Sequence, residues 1–474
     1  MQSVLLVVFD GLRPDMIRPE VTPHLVRFAA MGARLPLARS VFPSETRVCT
    51  ASVATGCYPR RHGVVANRMF HPADPFRFVQ TGSAAQLRAM EQEIGAATVL
   101  RAGLSDLLAE AGRDFAVFSS GSTGQTYILA PRAEALGQVV VSAHGAQDCT
   151  TAGRALLARL DPPPEAQAAR AIWIADAWRT TMLPKPPAAS VLWLCEPDTS
   201  AHYQGLDSAG QRAVLHDTDA AFGRILDAWE SGSQRDRLQI IVASDHGHVT
   251  VDALMDLKSA FAAEPLLAGC GLTGGASGGV WVPGGDRERI SDVAGWLMRQ
   301  DWVAQVFCAE IADIPHGALQ HGAALIDHPR AGHVLYTLRN DSRPGGTGLP
   351  GSSMIDVAAG LAVGAGTHGG LNARELSTVL MLAGSRVRRG LASDWPAGLV
   401  DIAPTILALL GLSGAESMDG RVMTEVLEDG IQPVESRSPE TWEAACAFYA
   451  QRVARVRVGR HVWLEHAERL STVE

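Results

Sequence analysis

Residues 238–247 read Leu238-Gln239-Ile240-Ile241-Val242-Ala243-Ser244-Asp245-His246-Gly247. Six residues, five of them apolar and mostly branched, bounded by a turn are too few for a buried helix and suit a strand covered on both faces. The strand then stops on an acid, an imidazole and a glycine. Two other segments repeat this design: residues 3–9 (SVLLVVF) run into Asp10-Gly11, and 190–195 (SVLWLC) run into Glu196-Pro197-Asp198. Further strands are predicted at 114–118 (DFAVF) and 376–383 (LSTVLMLA). Helical spacing lies between them, most clearly over 212–229, where Val214, Leu215, Thr218, Phe222, Ile225, Leu226 and Trp229 recur before Ser231-Gly232 ends the run. Strands alternating with helices predict an α/β fold, a doubly wound and mostly parallel sheet flanked by helices. In such sheets ligands bind at the carboxyl ends of the strands, so the three acid-bearing turns are expected to converge.

A chain of 474 residues exceeds the usual size of a single core. Between His248 and His368 the sequence turns Gly- and Pro-rich (GGASGG, VPGGD, RPGGTGLPGSS) and the strand pattern weakens. The division expected is a catalytic core over 1–248 and 366–430, an inserted cap lobe over 249–365, and a polar, helical tail over 431–474.

Composition excludes several classes of partner. The formal charge is −9 and no dense Lys/Arg run occurs, so no nucleic-acid-binding surface is expected. The apolar run at 3–9 has no basic leader and meets Asp10 at once, which reads as a buried strand rather than a secretory signal. No stretch approaches ~18 uninterrupted apolar residues, so no membrane span is expected. Seven scattered cysteines with no C-x-x-C pair disfavour a disulfide framework or a cysteine zinc site. Reduced thiols and a cytoplasmic location are the expectation that follows.

Zinc takes His nitrogen and carboxylate oxygen in tetrahedral sets, and catalytic sites keep a position open. Donors of that kind stand at Asp10, at Asp198 with His202, at Asp245 with His246, and at His368 in Gly366-Thr367-His368-Gly369-Gly370. Asp198 and His202 share one face if a helical turn follows the strand. Each also has a plainer reading: Asp10 as a helix cap, His368 as a structural or exposed loop residue.

The segment Phe42-Pro43-Ser44-Glu45-Thr46-Arg47-Val48-Cys49-Thr50 opens a predicted helix, with Ser44 as N-cap and Gly56 as the C-terminal stop. Thr46 then lies in the first turn, beside unpaired N–H groups and the positive end of the helix dipole, a natural cradle for a phosphate. Arg47 beside it is either an anion contact or a partner in a surface ion pair.

In this order the residues resemble the alkaline phosphatase superfamily, and within it the nucleotide pyrophosphatase/phosphodiesterase (type I phosphodiesterase) branch. Thr46 stands ten residues before Gly56 of Thr55-Gly56-Cys57-Tyr58-Pro59, the offset of the family's nucleophile. Tyr58-Pro59-Arg60-Arg61-His62-Gly63 is similar to its Y-P-x-x-H-G. Asn67 matches the diesterase branch's phosphate-binding Asn, and Glu196-Pro197-Asp198 with His202 and Gly205 matches E-P-D-x-x-G-H-x-x-G, with Ala201 in place of the Gly before His. Asp401-Ile402-Ala403-Pro404-Thr405 resembles a late structural helix of the superfamily. The family's T-F-P-N-H-Y is replaced by Thr46-Arg47-Val48-Cys49-Thr50-Ala51, which weakens any inference to nucleotides as substrates.

The resemblance implies a hydrolase that cleaves phosphodiester or pyrophosphate bonds of a small molecule through a phospho-threonine intermediate. It implies two Zn2+ ions, with other divalent metals as alternatives. One is expected on Asp198, His202 and His368, the other on Asp10, Asp245, His246 and the Thr46 oxygen, with Asn67 on a phosphate oxygen and Arg47 on the phosphate or leaving group. Competing readings are a phosphomonoesterase, phosphonate hydrolase or sulfatase on the same fold, or an inactive relative serving as a binding module. Phe70, Phe76 and Phe78 are possible stacking surfaces for a leaving group.

Overall fold

The structure, a computed structural model, describes residues 2–310 and 314–470. Its centre is an eight-stranded sheet built from β1 (Ser3–Phe9), β2 (Ala33–Arg34), β3 (Phe115–Ser119), β4 (Val139–Ser142), β5 (Ala189–Leu194), β6 (Leu238–Ala243), β7 (Leu380–Ala383) and β8 (Leu391–Ala392). Their spatial order is β8-β2-β7-β6-β1-β5-β3-β4. The run β6-β1-β5-β3-β4 is parallel throughout; β7 is antiparallel to both of its neighbours.

Every residue of β1, β5 and β6 is buried, which explains their unbroken apolar reading. Alternate side chains of β1 enter different cores: Val4, Leu6 and Val8 join one, Leu5, Val7 and Phe9 the other. Helix Ala209–Ser231 covers the second core with Leu215, Phe222, Ile225, Leu226 and Trp229. Helix Thr46–Thr55 packs into the first. Helices therefore lie on both faces, as a doubly wound α/β sheet requires.

After β6 the chain leaves this sheet and returns at β7. Val249–Met255, Asn340–Pro344, Pro350–Asp356 and Gly366–Thr367 form a four-stranded sheet. Gly271–Leu272, Ser277–Trp281, Val303–Cys308, Leu319–Gln320 and Val334–Leu338 form a five-stranded one, on which helix Arg287–Met298 closes a separate small core. No described helix is long and apolar enough to cross a membrane.

The C-terminal stretch corrects the expectation of a helical tail over 431–474. Arg437–Cys446, Tyr449–Val458 and His461–Leu470 form a three-stranded antiparallel meander. The signal was present: Val453, Val456 and Val458 alternate with arginines, and two-residue turns (Ala447-Phe448 and Gly459-Arg460) separate the strands. The meander packs on the core, where Trp463 donates its indole N–H to Asp401 Oδ2 at 2.7 Å and Tyr58 donates its hydroxyl to the Val462 carbonyl. Asp401 also accepts from the backbone N–H groups of Gly398 and Arg421, so this Asp is structural. Trp463 is only 1% exposed. Trp463→Ala is expected to cost about 3–5 kcal/mol, read as a lowered urea midpoint with an unchanged slope.

Candidate active site

Three neighbouring strands deliver the carboxylates. β1 runs directly into Asp10, β5 leads through Cys195, Glu196 and Pro197 to Asp198, and β6 leads through Ser244 into Asp245. The short helix Asp198–Gln204 carries His202 one turn beyond Asp198. The strand Gly366–Thr367 of the four-stranded sheet delivers His368. Helix Thr46–Thr55 points its first residue at the same place, with Glu45, not Ser44, at the N-cap position; Gly56 at φ +65° closes it as expected.

Ser44 has a different task. Its hydroxyl donates to the Gly370 carbonyl (2.9 Å) and accepts from the Gly369 N–H (3.0 Å), and its carbonyl accepts from His368 Nδ1 (2.7 Å). The loop before the nucleophile helix is thereby tied to the loop of a metal-ligand candidate some 320 residues later.

The side chains form two groups whose donor atoms all lie within 4.8 Å of one another: Asp198, His202, His248 and His368; and Asp10, Asp245 and His246. In the first, Asp198 Oδ1 lies 3.2 Å from His202 Nε2, 3.3 Å from His368 Nε2 and 3.0 Å from His248 Nε2. In the second, His246 Nε2 lies 3.4 Å from Asp10 Oδ1, 3.4 Å from Asp245 Oδ2 and 3.3 Å from Thr46 Oγ1. Donors about 2.0–2.1 Å from a tetrahedral zinc sit roughly 3.3–3.4 Å apart, so both groups have the spacing of coordination shells.

Hydrogen bonding agrees. Asp10 Oδ1 and Asp245 Oδ2 are buried and have no hydrogen-bond partner among the described residues. The other oxygen of each is engaged: Asp10 Oδ2 accepts from Trp193 Nε1 (2.8 Å), and Asp245 Oδ1 from the Gly11 N–H (3.0 Å). An orphaned buried carboxylate oxygen is costly unless a cation meets it, and here two are aimed at one imidazole nitrogen. His246 Nδ1 donates to the Gly247 carbonyl (3.0 Å), leaving Nε2 as the lone-pair side.

The electrostatics are those of a site short of positive charge. Burial, then the charges of Asp245 and Asp198, push the Asp10 carboxyl well up. Burial raises Asp245 to about 7, with Asp198 adding to it. Burial also presses on Asp198, but contacts with His202, His248 and His368 outweigh it and hold that carboxyl well below its ordinary value. Burial, reinforced by His368, keeps His246 neutral.

Near Thr46, Asn67 Oδ1 accepts from the backbone N–H of Arg47 (3.2 Å), and among the described residues its NH2 donates to no protein group. Arg47 makes no ion pair among the described residues, so the surface-pair alternative is not what the structure shows. Glu45, half-buried, accepts from the Asn67 N–H and fixes that loop. A cavity opens beside Asn67, walled by Glu45, Phe70, Thr273 and Gly279. Of the three phenylalanines, Phe70 is in this wall and packs on Phe78 and Trp281, Phe78 lies under the Arg68 guanidinium, and Phe76 is exposed on the two-stranded hairpin of Arg68–His71 and Asp74–Gln80.

All seven expected ligand positions converge, and the sequence reading missed one residue, His248. It stands two residues beyond His246 in Asp245-His246-Gly247-His248, the spacing by which an extended chain returns a side chain to one face.

The sequence model of the family described as type I phosphodiesterase / nucleotide pyrophosphatase matches residues 4–292. A bis(5'-adenosyl)-triphosphatase of Mus musculus is 24% identical over 276 residues, 54% of this chain and 50% of that protein. Ectonucleotide pyrophosphatase/phosphodiesterase family member 7 of Homo sapiens is 25% identical over 259 residues, 53% of this chain and 48% of that protein. The chain spans about half the length of these curated relatives. Among solved structures, an inactive variant of murine ectonucleotide pyrophosphatase/phosphodiesterase 5 in complex with AMP superposes with a TM-score of 0.62 at 18% identity, covering 90% of this chain and 100% of that one. This likeness establishes the shared fold. With 289 residues matched in order across β1 to β6 and beyond, the chain belongs to the type I phosphodiesterase/nucleotide pyrophosphatase family of the alkaline phosphatase superfamily.

Proposed function

We propose that this chain is a metal-dependent phosphodiesterase whose nucleophile is Thr46. The observation that carries the reading is the placement of Thr46 Oγ1 against a buried donor set with two unpaired carboxylate oxygens, at the N-terminus of a helix. Asp10, Asp245, His246 and Thr46 would hold one divalent ion, and Asp198, His202 and His368 the other; the mixed His/Asp set favours zinc. Bound there, the ions supply positive charge to the phosphoryl group and acidify the threonine hydroxyl.

The chain's own residues do the rest. Thr46 Oγ1 forms a bond to phosphorus as the bond to the leaving alcohol breaks, and water then cleaves the phospho-threonine and restores the hydroxyl. The free Asn67 NH2 and the N–H groups of the first helical turn are placed to hold non-bridging oxygens. Arg47 adds a cation that, among the described residues, is not tied up in a close ion pair, with the Glu45 carboxylate as its nearby counter-charge. Asn67→Ala is expected to lower kcat/KM for a diester about 10²-fold. For Arg47→Ala the expected change is mainly in KM, raised about tenfold.

The deciding experiment compares bis-(p-nitrophenyl) phosphate with p-nitrophenyl phosphate on protein of known metal content. Preference for the diester at about two metals per chain supports the reading. Preference for the monoester would retain the metals and remove Asn67 as a marker of diester chemistry. A metal-free, inactive protein would defeat the proposal.

A further inference from the structure

The geometry points to His248 as a fourth protein ligand of the first metal position, making that site three imidazoles and one carboxylate. The inference rests on the metal-centre reading above and extends it to a residue outside the seven expected positions.

Three features carry it. The first is tautomer. His248 Nδ1 lies 2.8 Å from the Gly11 carbonyl, His202 Nδ1 2.7 Å from the Gly366 carbonyl, and His368 Nδ1 2.7 Å from the Ser44 carbonyl. A carbonyl only accepts, so each ring carries its hydrogen on Nδ1 and presents Nε2 as a lone pair. All three lone pairs face the same Asp198 Oδ1, at 3.0, 3.2 and 3.3 Å for His248, His202 and His368. His202 and His368 also oppose each other at 3.2 Å. With each Nδ1 hydrogen committed to a carbonyl, four lone-pair atoms face one another at the spacing of a coordination shell, an arrangement that a shared cation satisfies. His248 stands as close to Asp198 Oδ1 as the two expected imidazole ligands do.

The second feature is how the ring is held. His248 is fully buried, and Arg13, itself buried, donates from Nη1 to the His248 carbonyl at 2.7 Å. The imidazole fills a slot made by two missing side chains. A Cβ on Gly11, whose φ is +69°, would meet His248 Cε1 at 2.2 Å, and one on Gly366 would meet His248 Cδ2 at 3.0 Å. A hydrogen bond to a carbonyl behind the ring is the usual device for fixing the orientation of a ligating histidine.

The third is the donor count. With His248 the first position has four protein donors, a complete tetrahedral set, whereas the second has three side chains plus the reacting oxygen of Thr46. A substrate oxygen could join the first set only as a fifth donor, which separates the roles of the two positions: the first holds charge in place, the second positions the nucleophile.

The test counts imidazole ligands directly. The full chain is prepared with nitrogen-15 in its histidines, loaded with cadmium-113, and examined for scalar coupling between the two nuclei. The expected result is one cadmium resonance coupled to three imidazole nitrogens and a second coupled to one. In His248→Gln the threefold pattern should fall to twofold while the second resonance keeps its single coupling. A wild-type protein with both cadmium resonances but only two couplings at the first overturns His248 as a ligand and leaves the metal centre intact. Failure to take up cadmium overturns the underlying metal-centre reading as well. Because the wild-type count decides the matter, the test does not depend on the variant folding.

Discussion

Thr46→Ala should reduce turnover of bis-(p-nitrophenyl) phosphate by on the order of 10³-fold or more, about 4 kcal/mol of transition-state stabilisation. The size follows from the position of the hydroxyl. Thr46 Oγ1 touches His246 Nε2 at 3.3 Å, and no other group at the site offers an uncommitted hydroxyl in the first turn of the helix. Its removal should leave the fold alone, because Thr50 bonds to the Thr46 carbonyl, not to its side chain. The unfolding midpoint of the metal-free variant is therefore expected to match wild type, while the second metal position keeps Asp10, Asp245 and His246 and binds its ion more weakly for want of the Thr46 oxygen. Thr46→Ser keeps the oxygen and should recover most of the lost rate. Activity of the alanine variant within tenfold of wild type would sink the nucleophile assignment, whatever the metal content.

A second large effect is expected on stability, with a sign that the metal reverses. Burial raises the folded-state carboxyl of Asp245 from 3.8 to about 7. A folded pKa above the unfolded one means that the metal-free protein loses stability as pH rises, from about 4 until Asp245 is fully ionised above about 7. Asp245→Asn is neutral at every pH and keeps an oxygen for the Gly11 N–H. In chelator-treated protein the variant should thus match wild type near pH 4 and exceed it by a few kcal/mol at pH 8, roughly the worth of such a shift. With saturating zinc the order should invert at pH 8, because the ionised carboxylate then meets a cation and the amide does not. Urea unfolding at both pH values, with and without chelator, reads all four cases. An Asn variant that is less stable in the metal-free state at pH 8 would show that Asp245 is satisfied without metal.

Much of the fold was legible because strands buried on both faces write themselves as unbroken apolar runs. β1 and β6 fall where the sequence places them, and β3 and β5 are each shifted by one residue at both ends. The segment 376–383 was half right: Ala373–Leu376 is helical, and only Leu380–Ala383 enters the sheet. Leu376 is apolar because it is buried, not because it is extended. The tail was misread for a related reason, since its arginines obscured a two-residue alternation; Arg452, Arg455 and Arg457 pair across strands with Glu443, Glu440 and Glu468.

At the site, the sequence by itself determined which residue types were available and which of them end strands. Asp10, Asp198 and Asp245 had to cluster once their strands became neighbours, because side chains at adjacent carboxyl ends share one crevice. Only the tertiary structure decided which imidazoles join them and with which nitrogen. That choice depends on backbone carbonyls supplied from elsewhere in the chain, Gly11 for His248, Gly366 for His202 and Ser44 for His368, which hold each Nδ1 and turn each Nε2 inward. Such partners are not encoded in local periodicity. They arise when the four-stranded sheet and the nucleophile helix dock against the ends of β1 and β6, so His248 gains its place at the site from contacts that no stretch of sequence displays alone.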